Sequence, residues 1–166
     1  YMDVDPIRAS LFIQDKLEYR GFVAIAGLNL DLVEPNGSWY DVEDYDNDFY
    51  SSNFTSSFED SIETKDLKMQ TTISPRLAIS HPITESSKLY FNYGHYNQMP
   101  IAQDLYRVRR GFSEEVLAIG DPSLPMSKTI AYEVGYEQSF MNTYLIRASA
   151  YYKDISDQQD YTTFIS

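Results

Sequence analysis

The sequence predicts an all-β fold: an antiparallel, up-and-down segment of a transmembrane β-barrel with about six strands. Three observations favour it. Strand-length runs alternate between apolar and polar residues, their connections alternate between short and long, and aromatic residues stand near the ends of the apolar faces. Side chains of a β-strand point alternately to opposite faces, so one face of each run would meet lipid and the other a wet interior.

The clearest pair of strands is predicted at 129–140 and 144–153, with a three-residue turn between them. One face of this hairpin is apolar and rich in tyrosine. It includes Ala148 and Ala150, which we expect to face lipid. Ser149 falls on the other face, together with four charged residues. We expect those four to line the lumen as a cross-strand charge ladder: Glu133, Glu137, Arg147 and Lys153.

The first two strands are predicted at 7–19 and 22–33, with a two-residue turn between them. The second strand alternates cleanly, and its apolar face consists of Phe22, Ala24, Ala26, Leu28, Leu30 and Leu32. Strict alternation in the first strand places Asp15 on the lipid face, where a charge is costly. A β-bulge near Gln14 would turn that carboxylate inward.

The third and fourth strands are predicted at 72–83 and 88–97, with a polar turn at 84–87. The connections along the chain then run short, long, short, long, short. Compact domains rarely contain structureless loops longer than about 12–15 residues, whereas outer-membrane barrels combine tight periplasmic turns with long extracellular loops. We therefore expect the segments 34–71 and 98–128 to be long extracellular loops.

The aromatic positions agree with two membrane interfaces. One group flanks the first and third short turns: Tyr19, Phe22, Phe140 and Tyr144. A second group stands towards the long segments: Tyr93, Tyr132 and Tyr152. Amphipathic rings concentrate at both interfaces of a bilayer. The stretch from Tyr144 to Tyr152 would span about 20 Å at the usual rise and tilt of a barrel strand.

The charge of the chain excludes one class of partner. The formal net charge is −12, whereas nucleic acid demands a basic surface. Most of the net negative charge, −9 of −12, lies between Glu34 and Asp66, which hold ten acidic residues and one basic residue, so it belongs to a loop. No cysteine is present for a disulfide or a thiolate metal site. The sequence shows neither a secretory leader nor an apolar run long enough for a transmembrane helix.

Two stretches resemble the TonB-dependent receptors, specifically the distal part of their outer-membrane barrel in Bacteroidetes-type bacteria. They are Ser74–Pro100 (SPRLAISHPITESSKLYFNYGHYNQMP) and Gly120–Asp157, which contains KTIAYEVGYEQSF and YLIRASAYYKDISD. Gln14–Leu32 fits the same pattern. The family often has Asn-Pro-x-Leu-Lys-Pro-Glu before the fifth of these strands, and residues 121–127 (DPSLPMS) depart from it after the leucine.

The resemblance implies a barrel of 22 strands, of which residues 1–166 would form a part, filled by a separate plug domain that this sequence does not contain. It implies a place in the outer membrane of a Gram-negative bacterium and uptake of a scarce nutrient with energy relayed by TonB. The partners would be outer-membrane lipid, TonB, the plug and the nutrient, whose class stays open among siderophore, cobalamin, glycan and peptide. Neither an enzyme activity nor a cofactor is expected.

Two groups of side chains in the long segments are candidates for ligand contact. Aromatic rings beside carboxylates suit sugars or cationic ligands, and the candidates in the first segment are Trp39, Tyr40, Tyr45 and Tyr50. The same rings could instead pack the segment against its neighbours. The second segment offers three arginines for an anionic cargo, or for carboxylates of the first segment: Arg107, Arg109 and Arg110.

No metal site and no catalytic set of side chains is predicted. Asp44, Asp46 and Asp48 have the spacing that opens an EF-hand loop. However, Phe49 stands where that loop needs glycine, and Thr55 stands where it needs a bidentate Glu. A solvated, self-repelling acidic loop explains these residues better.

Two alternative functions share parts of this pattern. A passive outer-membrane channel would have the same strands and no plug, so the coding sequence upstream would separate it from a receptor. A soluble all-β glycan-binding module would use the tyrosines as core residues or as a platform for sugars, and it would need no detergent.

Overall fold

A computed structural model describes residues 5–42, 62–112, 115–141 and 143–161. These residues form one short helix, α1 (Ala102–Leu105), and ten strands. The strands are β1 (Ile7–Tyr19), β2 (Phe22–Glu34), β3 (Ser38–Tyr40), β4 (Thr64–Asp66), β5 (Gln70–Thr84), β6 (Ser87–Gln98), β7 (Val108–Arg110), β8 (Val116–Ile119), β9 (Ser127–Phe140) and β10 (Tyr144–Ser156). Within the described ranges, no helix has the length and apolar composition that a membrane crossing requires.

Six long strands form one antiparallel sheet in the order β1-β2-β5-β6-β9-β10. Long strands that follow one another in the chain pair with each other, and β1 and β10 form the two edges, so the sheet is up-and-down. The predicted fold class is confirmed. The first strand has the predicted bounds, and the other five extend one to three residues beyond theirs.

The two long segments contain regular structure that the sequence pattern missed. In the first segment β3 pairs with β4, and in the second β7 pairs with β8 after α1. Strands of three or four residues are too short to display a period of two in the sequence. Both small hairpins belong to connections that leave the same end of the sheet, which we call the outer end.

The register divides the sheet into an apolar face and a polar face. On the apolar face Leu11 and Ile13 of β1 lie opposite Leu30 and Leu28 of β2. Leu11 and Ile13 are about seven-tenths exposed. Within the described ranges no second layer covers this face, and an open apolar face is what a transmembrane barrel presents to lipid.

Asp15 remains on the apolar face. The register between β1 and β2 is unbroken along the whole of both strands, with Asp15 opposite Ala26. The bulge considered near Gln14 is absent, so nothing in β1 turns the carboxylate inward. Its Oδ1 accepts a hydrogen bond from the backbone N–H of Lys16 at 2.9 Å.

The turn between β1 and β2 explains how these strands reverse so tightly. Arg20 and Gly21 have positive φ angles of 49° and 81°. Positive φ at both central residues defines a type I′ turn, whose twist matches the right-handed twist of the flanking strands. Glycine reaches this region without steric cost.

Both groups of aromatic residues lie on the apolar face, at two levels. The inner group pairs across the short turns, Tyr19 with Phe22 and Phe140 with Tyr144. Towards the outer end, three rings are successive cross-strand neighbours with centroid separations of 5.1 and 6.2 Å: Tyr93, Tyr132 and Tyr152. Two levels of rings on one apolar face are the arrangement that the sequence pattern predicts.

A cluster of buried apolar residues lies at the outer end and joins the two small hairpins. Its buried members are Trp39, Tyr40, Leu67 and Val116, with five partly buried residues around them: Val42, Ile62, Tyr106, Val108 and Ile119. We call the described residues 35–42, 62–69 and 99–126 the outer cap. The two long segments therefore share one small hydrophobic core.

Candidate functional site

The outer cap forms most of the wall of a large cavity. The cavity has a volume of about 1060 Å³. Residues of the second long segment supply most of the lining, with Tyr40, Val42 and Lys65 from the first. The outer ends of β6 and β9 and residues 158–161 complete it. This volume lies just above the range of about 300–1,000 Å³ that is typical of sites for small organic ligands.

The second long segment reaches across the sheet to form this wall. It connects β6 to β9, yet the side-chain amide of Gln70 on β5 donates to the carbonyl oxygen of Leu124 at 2.9 Å. Thr72 Oγ1 also lies 3.9 Å from the sulfur of Met126. Gln70 and Thr72 share the polar face of β5, because they are two residues apart. The segment thus folds inward over the polar face.

A hydrogen bond joins the two long segments at the cap core. Trp39 Nε1 donates to the carbonyl oxygen of Gly120 at 2.7 Å, and the N–H of Gly120 donates to the carbonyl oxygen of Arg107 at 2.7 Å. A Cβ atom at Gly120 would overlap the carbonyl groups of Asp104 and Leu105. A glycine at this position is therefore what allows α1 to pack closely against the strand β8.

Arg107 and Arg109 line the cavity, whereas Val108 between them packs against the cap core. This follows from the period of two in an extended chain. Arg110 is not among the residues that line the cavity. The structure thus separates the three predicted arginines into two that face the cavity and one that does not.

Lys65 and Asp41 form an ion pair beside the cavity. Lys65 Nζ lies 2.9 Å from Asp41 Oδ1. The hydrogen bond to Asp41 is the main cause that raises the pKa of Lys65 above its usual value, and the more distant Asp121 adds to it. Lys65 is therefore a cation at neutral pH, and its charge is already matched by Asp41.

Residues 159–161 are tied to the cap across the cavity. The hydroxyl of Tyr161 donates to Asp104 Oδ1 at 3.1 Å, and the side-chain amide of Gln159 donates to the carbonyl oxygen of Pro125 at 2.6 Å. These contacts link α1 and the cap to the chain beyond β10. The sequence analysis missed them, because no periodicity relates residues so far apart.

The predicted aromatic candidates have different positions. Trp39 is only 4% exposed, packs edge-on against Tyr106 and is not among the lining residues. Tyr40 lines the cavity. Tyr45 and Tyr50 lie outside the described residues, as does the Asp44–Asp48 stretch. Contact of these rings with a ligand stays a prediction.

Part of the predicted charge ladder is present on the polar face. Glu137 Oε1 accepts from Arg147 Nε at 2.7 Å, and Glu137 Oε2 lies 2.9 Å from Lys88 Nζ. The register places these residues side by side on β6, β9 and β10. Lys88 was missed by the sequence analysis, because its position opposite Glu137 depends on the pairing of distant strands.

The other two predicted lumen residues have neutral partners. Glu133 Oε2 accepts from Asn92 Nδ2 at 3.0 Å. The Nζ atom of Lys153 lies 5.7 Å from the ring centroid of Tyr151, a distance typical of a cation–π contact. The four residues thus share one face without forming one continuous ladder.

A second polar cluster on the same face surrounds Asp31, which is buried. Its carboxylate accepts from Ser10 Oγ and from Asn29 Nδ2, each at 2.5 Å. Arg8 also donates to it at 3.3 Å. The alternation of β2 predicts that Asn29 and Asp31 share the polar face, but the partners on β1 require the register.

The described residues contain no group of three or more His, Asp or Glu side chains that could hold a metal ion. The acidic stretch with EF-hand-like spacing lies outside them. The side chains that line the cavity include arginine, lysine, carboxylate, amide and aromatic groups.

A family model described as TonB dependent receptor-like, beta-barrel, matches residues 2–165. No curated protein matches the chain. One similar solved structure is a double mutant of the Serratia marcescens hemophore receptor HasR in complex with its hemophore HasA and heme. It has a TM-score of 0.63 and 20% identity, and the match covers 92% of this chain and 26% of that chain.

The copper transporter OprC is similar as well, with a TM-score of 0.58 and 18% identity. The match covers 90% of this chain and 21% of that chain. The chain thus spans about a quarter of the length of these structures. At these identities, the two likenesses establish the fold.

Proposed function

The chain belongs to the family of TonB-dependent receptor β-barrels, and from this membership we propose that it forms part of the barrel of an outer-membrane receptor that takes up a scarce nutrient with energy from TonB. The members of this family are transporters and not enzymes. The proposed partners are outer-membrane lipid, TonB, a plug domain elsewhere in the protein and the nutrient itself.

The observation that carries this proposal is the division of the six-stranded sheet into two faces. Its apolar face bears two levels of aromatic rings, and its polar face bears the Lys88–Glu137–Arg147 group. A soluble sheet would cover the apolar face with a second layer. An uncovered apolar face opposite a charged one supports contact with lipid outside and water inside.

The position of the outer cap supports its role as the ligand-facing part. We propose that the long segments are extracellular, that the short turns are periplasmic, and that residues 1–166 belong to one barrel domain. The cap folds inward over the polar face through Gln70 and Thr72. A ligand bound in the cavity would then stand at the mouth of the lumen.

The class of nutrient stays open among siderophore, cobalamin, glycan and peptide. The HasR structure contains a hemophore and heme, and OprC is a copper transporter. These two cargoes differ chemically, and a likeness at 20% identity or less supports the fold and not the cargo.

Deletion of the gene for the full-length protein, with and without TonB, tests the proposal. We expect the protein in the outer-membrane fraction. We also expect that loss of either the protein or TonB abolishes growth on the same limiting nutrient in a panel. Uptake that needs the protein but not TonB would support the passive channel instead. Recovery of the protein in the soluble fraction would overturn both functions.

A further inference from the structure

The Cα atoms of the two arginines that line the cavity are held a fixed distance apart. Arg107 and Arg109 flank Val108, which is held in the cap core. Two residues along an extended strand place their Cα atoms about 7 Å apart. The backbone at both ends is also fixed, because Gly120 donates to the carbonyl oxygen of Arg107 and Arg109 pairs with Ala118 of β8.

The carboxylates of the cavity already have partners. Asp104 accepts from the hydroxyl of Tyr161. Asp121 accepts from both the backbone N–H and the hydroxyl of Ser123, at 2.8 and 2.5 Å. Asp160 accepts from the backbone N–H of Tyr161 at 2.8 Å. Each acidic group that lines the cavity is therefore engaged within the protein.

The guanidinium groups are not engaged in the same way. Within the described part of the chain, neither Arg107 nor Arg109 forms an ion pair or a side-chain hydrogen bond. The described carboxylates of the first long segment include Asp41, which pairs with Lys65. Among the described side chains, therefore, none neutralises the positive charge of these two arginines.

We propose that this cavity recognises an anionic ligand that carries at least two carboxylate or phosphate groups, bound by Arg107 and Arg109. Guanidinium groups bind both kinds of anion through two parallel hydrogen bonds. Two guanidinium groups carried by backbone positions about 7 Å apart favour a ligand with two anionic centres. The inference rests on the proposed function, because it treats the cavity as the outward-facing site of a receptor.

Calorimetric titration of the full-length receptor in detergent tests this inference. The probes are inorganic pyrophosphate and propane-1,2,3-tricarboxylate, with a neutral maltooligosaccharide as the uncharged comparison. We expect one or both anions to bind, and the tighter of them identifies phosphate or carboxylate as the preferred group. We expect binding to weaken as salt is raised, because the contacts are between charges.

Matched variants locate the binding. Arg107→Gln and Arg109→Gln should each weaken anion binding about 10- to 100-fold, because each removes charged hydrogen bonds. Arg110 does not line the cavity, so Arg110→Gln should change the dissociation constant for the anion by less than about 2-fold. Arg109→Lys keeps the charge but loses the two parallel hydrogen bonds, so it should have an intermediate effect.

Several results would overturn the inference. One is that the Arg107→Gln receptor binds the anion as tightly as the unmodified receptor. Another is that Arg110→Gln and Arg109→Gln lose the same amount of anion affinity. A third is that only the neutral sugar binds. These outcomes can be distinguished from a failure of the proposed function. A receptor that needs TonB for uptake but binds neither anion refutes only the anion site. Arginine-dependent anion binding by a protein whose uptake does not need TonB refutes only the proposed function.

Discussion

The phenol ring of Tyr90 lies across Gly135, its direct partner on the neighbouring strand. The register pairs these two residues between β6 and β9, and a Cβ atom on Gly135 would overlap the ring. The hydroxyl of Tyr90 then lies 3.4 Å from Glu133 Oε1. An aromatic ring that covers a glycine on an adjacent strand protects its backbone and fixes the register.

Gly135→Ala should therefore destabilise the barrel by about 1–3 kcal/mol, because the new methyl group displaces the Tyr90 ring. Unfolding of the full-length protein by urea in lipid vesicles measures this change. Gly27→Ala is the matched control on the same face, since a Cβ there meets its nearest atom at an ordinary 3.6 Å. Equal effects of the two substitutions would show that the Tyr90 ring moves aside without cost.

The bond between Trp39 and Gly120 should control how tightly the two long segments hold together. Trp39→Phe keeps an aromatic ring in the cap core but removes the Nε1 donor. We expect amide hydrogens of the cap to exchange about 2- to 10-fold faster, which corresponds to the loss of one buried hydrogen bond. The strands β9 and β10 should exchange as before. Faster exchange throughout the sheet would mean that the cap and the barrel open together.

Tyr106 lies in the same cluster, but unlike Trp39 its polar atom lacks a hydrogen-bond partner among the described residues. Its hydroxyl is buried and has no hydrogen-bond partner in the described structure, and burial raises the pKa of Tyr106 above its usual value. Tyr106→Phe should leave the cap at least as stable and could add about 1 kcal/mol, because it removes an unsatisfied buried group. Hydrogen exchange at neutral pH measures this, and clearly faster exchange would show that the hydroxyl is in fact bonded.

The same pKa shift gives a prediction at alkaline pH. A tyrosine hydroxyl ionises near pH 10 when it is exposed, and in the folded cap it keeps its proton to a higher pH. The unfolded cap therefore loses this proton first, so cap stability should fall as the pH rises above about 10. Amide hydrogen exchange of the cap, corrected for intrinsic rates, measures this. Above about pH 10 it should depend less on pH in Tyr106→Phe than in the unmodified protein. Identical pH profiles would contradict the burial of this group.

The sequence was sufficient to predict the six long strands, their order and their faces. Each strand has enough residues to display a period of two, and that period is strong in any strand designed to meet lipid on one side and water on the other. The pattern correctly placed three aromatic residues: Tyr93, Tyr132 and Tyr152. Each was assigned to the apolar face from its own strand, and the register then made them neighbours.

The outer cap could not be predicted in the same way. Its strands are three or four residues long, and its core joins Trp39 to Val116 across many residues of chain. Contacts of this kind depend on three-dimensional packing and leave no local period. The grouping of Lys88 with Glu137 and Arg147 could not be predicted for the same reason, because only the pairing of β6 with β9 brings the lysine to the carboxylate.

The assignment of faces itself can be tested with one substitution at two adjacent positions. Ala148 lies opposite Tyr136 on the apolar face, and Ser149 lies opposite Gly135 on the polar face. Ala148 is midway between Tyr144 and Tyr152, so an arginine there would stand in the middle of the apolar band. Ala148→Arg in the full-length protein should cost about 2–4 kcal/mol of folding free energy in lipid.

Ser149→Arg should be tolerated for folding, because water in the lumen solvates the charge. The measurement for both variants is the yield of folded protein in lipid vesicles, followed by urea unfolding. Both variants introduce arginine at adjacent positions of one strand, so its own strand preference is common to the two. Loss of folding in Ser149→Arg with normal folding in Ala148→Arg would invert the two faces, and the charged group around Glu137 would then have to face lipid.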